Sequence, residues 1–267
     1  MIYTDSIKKK NNQFIKKDII IFIKKIFNFF NLELSKKDNW SKRYGDAVVE
    51  IDKKSLRTIK FVNNLMIGSL PNQWSIIQAL KYIKNNKVDG DIVETGVFHG
   101  GGLIFLNEIM KNIGLKKKIW GYDTFTGVPE IDFKNDELIS GQKIKKESEK
   151  DKLIYRNVNQ VKKILLKKSF SSQNLPNLII GDTRKTLKQK KNLPKKISFI
   201  RLDTDFYEST LNELNTLYPR LVKNGILLID DYGHHKGCKK AVDKFFRNNK
   251  KILMHRVDYT VRMIIKK

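Results

Sequence analysis

A chain of 267 residues with 40% apolar content can bury the core of one α/β domain together with an appendage. Its single cysteine, Cys238, excludes a disulfide framework and a CxxC metal site and fits a reducing compartment. The net charge of +26 invites a nucleic-acid or anionic-membrane partner. Yet the excess is nearly all Lys, scattered through most segments, with no aromatic-rich RNA-binding strand and no zinc-finger spacing. It reads as a solvated basic surface, without nucleic acid as a partner.

Residues 1–45 differ from the rest. Ile19 to Phe30 (IIIFIKKIFNFF) is apolar but interrupted by Lys24 and Lys25, too short and too broken for a transmembrane helix. It lacks the small-residue cleavage site of a signal peptide. A basic amphipathic helix there packs on the core or on a second subunit as a homodimer, or lies on an anionic membrane surface. Residues 46–87 read as helical, with Ile76, Ala79, Leu80 and Ile83 on one face. The apolar turn Leu65-Met66-Ile67-Gly68 either lies against a ligand or plugs the core.

Strand–helix alternation then begins. Asp91 to Thr95 (DIVET) is a strand, Gly96 to Gly102 a glycine-rich turn and Leu103 to Asn112 a helix. Glycines there let a ligand approach the backbone and leave helix N–H groups free. The turn is neither a P-loop nor the spaced GxGxxG of dinucleotide binders. Lys118 to Asp123 is the second strand, and Asp123 at its end suits ribose hydroxyls. His99 reads as a structural or peripheral contact. Residues 127–175 form a long polar connection of the kind that serves as a lid or substrate loop, with a helix-like stretch inside it. Asn177 to Gly181 is the third strand, ending at Asp182; Thr183 to Leu187 is a short helix and Ile197 to Leu202 the fourth strand. Ser209 to Leu221 is a helix, for which Asn224-Gly225 supplies the stop before the fifth strand. Lys236 to Phe246 is a helix, and Lys251 to Val257 with Tyr259 to Lys266 form a closing hairpin.

Two strand ends carry paired carboxylates: Asp203 and Asp205 after the fourth strand, Asp230 and Asp231 after the fifth. Ligands of parallel sheets sit outside the carboxyl ends of the strands. Four aspartates on one rim repel one another, and a hard divalent cation relieves that repulsion. Single aspartates at such ends are commonly helix N-caps, but DxD and DD at matching ends favour a metal or catalytic site.

Seven strands ending in an antiparallel pair form the pattern of the class I S-adenosylmethionine-dependent methyltransferase (Rossmann-like) sheet. The sequence resembles the macrocin O-methyltransferase (TylF-type) family. The resemblance lies in Met66-Ile67-Gly68, GDIVETGVFHGGG (Gly90 to Gly102), GYDTFTGVPE (Gly121 to Glu130), Arg201 to Leu221, Gly225 to Gly233 and Gly237 to Phe246. It departs at His99, where the family usually has Arg, and at Ser69-Leu70-Pro71; the first fifty residues carry none of it. It divides the chain into an N-terminal helical extension, residues 1–64, and a methyltransferase domain, residues 65–267. It implies S-adenosylmethionine and Mg2+ as cofactors, and methylation of a sugar hydroxyl on a glycan, glycolipid or sugar-containing metabolite. Asp203, Asp230 and Asp231 would bind the metal and Asp205 would be the general base. Met66, Ile67, Glu94, Gly96, His99, Gly101, Asp123, Thr124 and Asp182 would hold the cosubstrate, Asp123 at the ribose and Asp182 near the adenine. The expected setting is cytoplasmic, with peripheral contact at the inner face of the membrane left open.

Three other readings stand beside this one. A catechol-type O-methyltransferase shares cosubstrate and metal but takes a small diol. A metal-dependent glycosyltransferase would use Asp203-Thr204-Asp205 as its DxD. A non-catalytic membrane or nucleic-acid binder would use the charge, but gives no reason for four carboxylates on one rim.

Overall fold

Short apolar runs form the middle of a sheet here because both of their faces are covered. In a computed structural model, which describes residues 48, 50–128, 132, 134–144, 155–248 and 252–267, every residue of the strand Ile197–Leu202 is buried. The chain divides into two units, Met1–Ala47 and Val48–Lys267, and all described residues lie in the second. The basic apolar stretch at residues 19–30 and parts of the 127–175 connection lie outside the described residues.

The second unit opens with helices α1 (Lys53–Val62) and α2 (Leu70–Asn85). Next come β1 (Asp91–Thr95), α3 (Gly101–Ile113), β2 (Ile119–Asp123), α4 (Val158–Lys168), β3 (Asn177–Ile180) and α5 (Thr183–Thr186). It closes with β4 (Ile197–Leu202), α6 (Tyr207–Leu217), β5 (Leu221–Ile229), α7 (Lys236–Phe246), β6 (His255–Arg256) and β7 (Arg262–Ile265). The sheet order is β3-β2-β1-β4-β5-β7-β6, with β7 antiparallel to its neighbours β5 and β6 and the other pairs parallel.

Alternation along the strands sorts the core into two layers. Ile92, Phe199 and Leu228 pack under α1, α2, α3 and α4, while Val93, Ile200, Leu227 and Ile229 pack against Leu214 and Leu217 of α6 and Cys238 and Val242 of α7. Each fully buried Leu, Ile or Phe contributes roughly 2 kcal/mol of transfer free energy. Local signals mark the helix ends: Ser69 caps α2 with Pro71 in its first turn, Asn157 and Gln160 form a capping box on α4, and Gly114 ends α3 in a left-handed conformation. Helix α1, assigned from sequence to the N-terminal extension, contributes Ile59 and Val62 to the core.

Several boundaries differ from expectation. Helix α6 stops at Leu217, not Leu221, and a single 3-10 turn, Tyr218–Arg220, follows. Pro219 sits in that turn, where its missing N–H and its ring end a helix. Strand β5 then begins at Leu221, and Asn224, at φ 63°, marks an irregularity inside it instead of a stop before it. The register jumps accordingly, from Ile197 opposite Leu221 to Phe199 opposite Ile226. Among the described residues the edge strand of the closing hairpin is shorter than expected, His255–Arg256, paired with Arg262 and Met263 of β7.

The register aligns the carboxyl ends of the central strands: Thr95 pairs with Leu202, and Leu202 with Ile229. The chain order reverses between β1 and β4, which opens a crevice at that rim. Below it, Glu213 of α6 is fully buried and accepts hydrogen bonds from Thr95 (3.1 Å) and Thr204 (3.0 Å), tying the helix to both strand ends. Burial pushes its carboxyl from 4.5 up to about 7. The folded group keeps its proton where the unfolded one has lost it, so its contribution is complete below about pH 4.5 and is lost as pH rises through about 7. Glu213→Gln should flatten that decline, by at most roughly 3 kcal/mol. Urea unfolding of both proteins across this range measures it; parallel curves would show that Glu213 does not titrate there.

Candidate active site

A charged residue inside a buried strand sets the geometry. Arg201 lies on β4, opposite Glu94 of β1, and is 3% exposed. Its guanidinium meets Glu94 Oε1 at 2.8 Å, Asp203 Oδ2 at 2.7 Å and Asp230 Oδ1 at 3.1 Å. Asn72 of α2 donates to the same Asp230 oxygen at 2.9 Å. Burial pushes Glu94 up to about 7 against the pull of Arg201.

Around this centre two ligand groupings form. Single oxygens of Asp203, Asp230 and Asp231 lie within 4.8 Å of one another, and so do ligand atoms of Asp205, Asp231 and His235. Burial drives Asp203 well above the usual carboxylate range, with Arg201 opposing and Asp230 and Asp205 adding to the rise. Burial does the same to Asp231, reinforced by Asp205, Asp203 and Asp230. Asp231 Oδ2 and His235 Nδ1 are buried without a hydrogen-bond partner. Burial lowers His235, favouring the neutral imidazole, against the attraction of Asp205. Asp205 itself has a left-handed backbone, at φ 64°.

The glycine-rich turn is shaped by close approach. A Cβ on Gly96, at φ 78°, would stand 1.9 Å from the Asp203 carbonyl oxygen, and one on Gly102 would stand 2.0 Å from Glu94 Oε1. Gly101 abuts the backbone of Leu65 and Met66, 2.2 Å from the Leu65 carbonyl oxygen by the same measure. The turn at residues 65–68 is thereby seated on the start of α3, with Met66 buried and Ile67 79% exposed.

On the β2 side the carboxylates are engaged with backbone. Asp123 accepts from Phe98 N–H (2.8 Å) and Phe125 N–H (2.6 Å), joining the turns after β1 and β2. Thr124 donates to the Gly127 carbonyl at 2.6 Å. His99 stacks on Phe98, with ring centroids 3.7 Å apart. Asp182 caps α5 and pairs with Arg184 at 2.6 Å; burial raises its pKa, but the Arg184 hydrogen bonds prevail and hold it low.

The structure thus brings Asp203, Asp205, Asp230 and Asp231 together, with Glu94 beneath them, and sets Asp123 and Asp182 at neighbouring strand ends. Arg201, Asn72 and His235 were not singled out from sequence. A basic residue within the apolar run FIRL was the one visible signal for Arg201; nothing local marks the other two.

The sequence profile of the Macrocin-O-methyltransferase (TylF) family matches residues 37–264. The match begins earlier and ends later than the motifs from Met66 to Phe246 on which the resemblance rested. Demethyldecarbamoylnovobiocin O-methyltransferase of Streptomyces niveus is 28% identical over 179 residues, 64% of this chain and 63% of that protein. The 8-demethyl-8-(2,3-dimethoxy-alpha-L-rhamnosyl)-tetracenomycin-C 4'-O-methyltransferase of Streptomyces olivaceus is 30% identical over 59% of this chain and 58% of its own length. The chain therefore spans about three fifths of the length of each of these two relatives. Mycinamicin III 3''-O-methyltransferase of Micromonospora griseorubida is 26% identical, over 74% of this chain and 76% of that one.

Among solved structures, the O-methyltransferase NovP superposes with a TM-score of 0.63 at 21% identity, covering 74% of this chain and 81% of that chain. An S-adenosylhomocysteine-bound methyltransferase of Podospora anserina superposes with a TM-score of 0.51 at 16% identity, covering 88% and 98%. These likenesses establish the class I methyltransferase fold, with its seven strands and antiparallel end. With the profile matched across nearly the whole described unit, the chain belongs to the macrocin O-methyltransferase family.

Proposed function

We propose that this protein is an S-adenosylmethionine- and Mg2+-dependent O-methyltransferase acting on a sugar hydroxyl of a glycan, a glycolipid or a sugar-containing metabolite. The observation that carries the reading is the convergence of Asp203, Asp230 and Asp231 within 4.8 Å at the sheet's switch point. Relatives whose names specify rhamnosyl and mycinamicin O-methylation support the sugar acceptor.

The donor set suits a hard divalent ion: it is anionic, all-oxygen, and includes a buried Asp231 oxygen with no hydrogen-bond partner. Asp203, Asp230 and Asp231 would hold the ion, which when bound supplies a Lewis acid that lowers the pKa of an alcohol. We assign proton acceptance to Asp205, whose carboxylate stands within 4.8 Å of Asp231 and His235. Arg201 orients Asp203 and Asp230 through its ion pairs. On the other side of the crevice we assign the cosubstrate to Glu94, Gly96, Gly101 and Asp123, with Thr124, His99 and Asp182 beyond and Met66-Ile67 as cover. A sulfonium methyl is already activated, so these residues act by aligning it with the acceptor oxygen.

Asp231 makes no ion pair with Arg201, so its replacement spares the buried network. Asp231→Asn should lower methyl transfer to glycan extracts or nucleotide-sugars at least about 100-fold, with S-adenosylmethionine affinity, by calorimetry, within about threefold of wild type. Chelation should silence the wild type and Mg2+ restore it; full turnover in EDTA would remove the metal from the reading. Gly102→Ala, which forces Glu94 aside, should weaken S-adenosylmethionine binding about tenfold or more. An unchanged dissociation constant would place the cosubstrate elsewhere.

A further inference from the structure

Helix α6 begins without a cap of its own. Phe206 occupies the N-cap and offers no side-chain acceptor. The first amide of the helix, Tyr207 N–H, donates instead to Asp136 Oδ1 at 2.8 Å, from 71 residues earlier in the chain. Asp136 is 3% exposed. Its second oxygen accepts from Asp132 N–H at 3.3 Å. Its first oxygen also fills the space beside Gly237, where a Cβ would lie 1.9 Å away. One carboxylate therefore joins Asp132, the turn after β4 and the start of α7.

Backbone pairing continues the join. Ile139 N–H donates to the His234 carbonyl at 2.8 Å, and Lys236 N–H to the Glu137 carbonyl at 2.7 Å. Leu138 bridges His235 in antiparallel fashion, and Lys236 pairs with Glu137 at 2.7 Å. The turns held in this way are the ones that carry Asp203 and Asp205, and Asp230 and Asp231. The left-handed backbone of Asp205 is a conformation that persists only where surrounding contacts over-determine it. Phe206 N–H to Thr204 O, at 2.7 Å, fixes one side of that residue. Tyr207 N–H to Asp136 fixes the other.

We propose that Asp136 is a positioning residue: it holds Asp205 in its left-handed conformation and seats residues 134–144 against His234 and His235 as a wall of the acceptor side. The inference rests on the assignment of Asp205 as proton acceptor. An amide oxygen caps a helix about as well as a carboxylate, so the role belongs to the acceptor atom more than to the charge.

The test uses the full chain. Asp136→Ala should lower kcat roughly 10- to 100-fold, with the KM for S-adenosylmethionine within about twofold. Asp136→Asn should recover most of the loss, and an equal loss in Asn would overturn the proposal. So would an Ala variant with wild-type kcat, or a rise in cosubstrate KM that matches the fall in kcat. Hydrogen exchange gives a readout independent of turnover: amides 205–209 and 234–238 should exchange faster in Ala and at the wild-type rate in Asn, and unchanged exchange in Ala would refute the hold on Asp205. Should the Ala variant fail to fold, Gly237→Ala pushes a methyl onto the same carboxylate and should give the same kinetic split. If the wild type methylates no acceptor, the proposed function fails, while the exchange arm still decides whether Asp136 holds the turn.

Discussion

The guanidinium of Arg201 is the constraint on which the site is built. A positive charge within the middle of a sheet is tolerated only where partners surround it, because removing one partner leaves the others buried and uncompensated. Arg201 meets Glu94 across the β1–β4 pair, Asp203 at the end of its own strand and Asp230 at the end of the next. The register of three parallel strands is thereby written into one set of ion pairs. A slip of one residue on either side would turn these groups onto the wrong face.

This arrangement sorts the carboxylates of the rim. Asp123 and Asp182 spend their oxygens on backbone amides and on Arg184, and in doing so they brace turns. Asp203 and Asp230 are held by Arg201. Asp231 keeps a buried oxygen with no hydrogen-bond partner, and it belongs to both ligand groupings. Asp231, after β5, therefore offers a cation an oxygen that no hydrogen bond occupies. The glycines allow close approach: Gly96 lets the β1 turn touch the β4 turn, and Gly102 leaves room for Glu94 under the helix start.

The elements that carry the site are joined at a distance from it as well. Glu213 links α6 to the ends of β1 and β4 from below. Asp136 links the same helix to the connection after β2 from the side. Both are buried acids in a strongly basic chain, and both act on the turn that contains Asp205.

The amino-acid sequence by itself determined the alternation of strands and helices, since apolar runs of five or six residues between turn-formers are too short for helices and read as buried strands. The bounds of β1, β4 and α7 coincide with those read from it. It also placed the aspartates at strand ends, because DxD and DD follow directly on such runs. The end of α6 was misread because Asn-Gly is a local stop signal in a helix and an equally local bulge signal in a strand. Pro219, five residues earlier, had already ended the helix. Only the tertiary structure decided that Arg201 compensates three acids, that His235 faces Asp205, and that Asp136 caps a helix 71 residues away. Those contacts depend on which strands pair and in what register. Crossover connections between parallel strands set that pairing, and no local pattern of residue types encodes it.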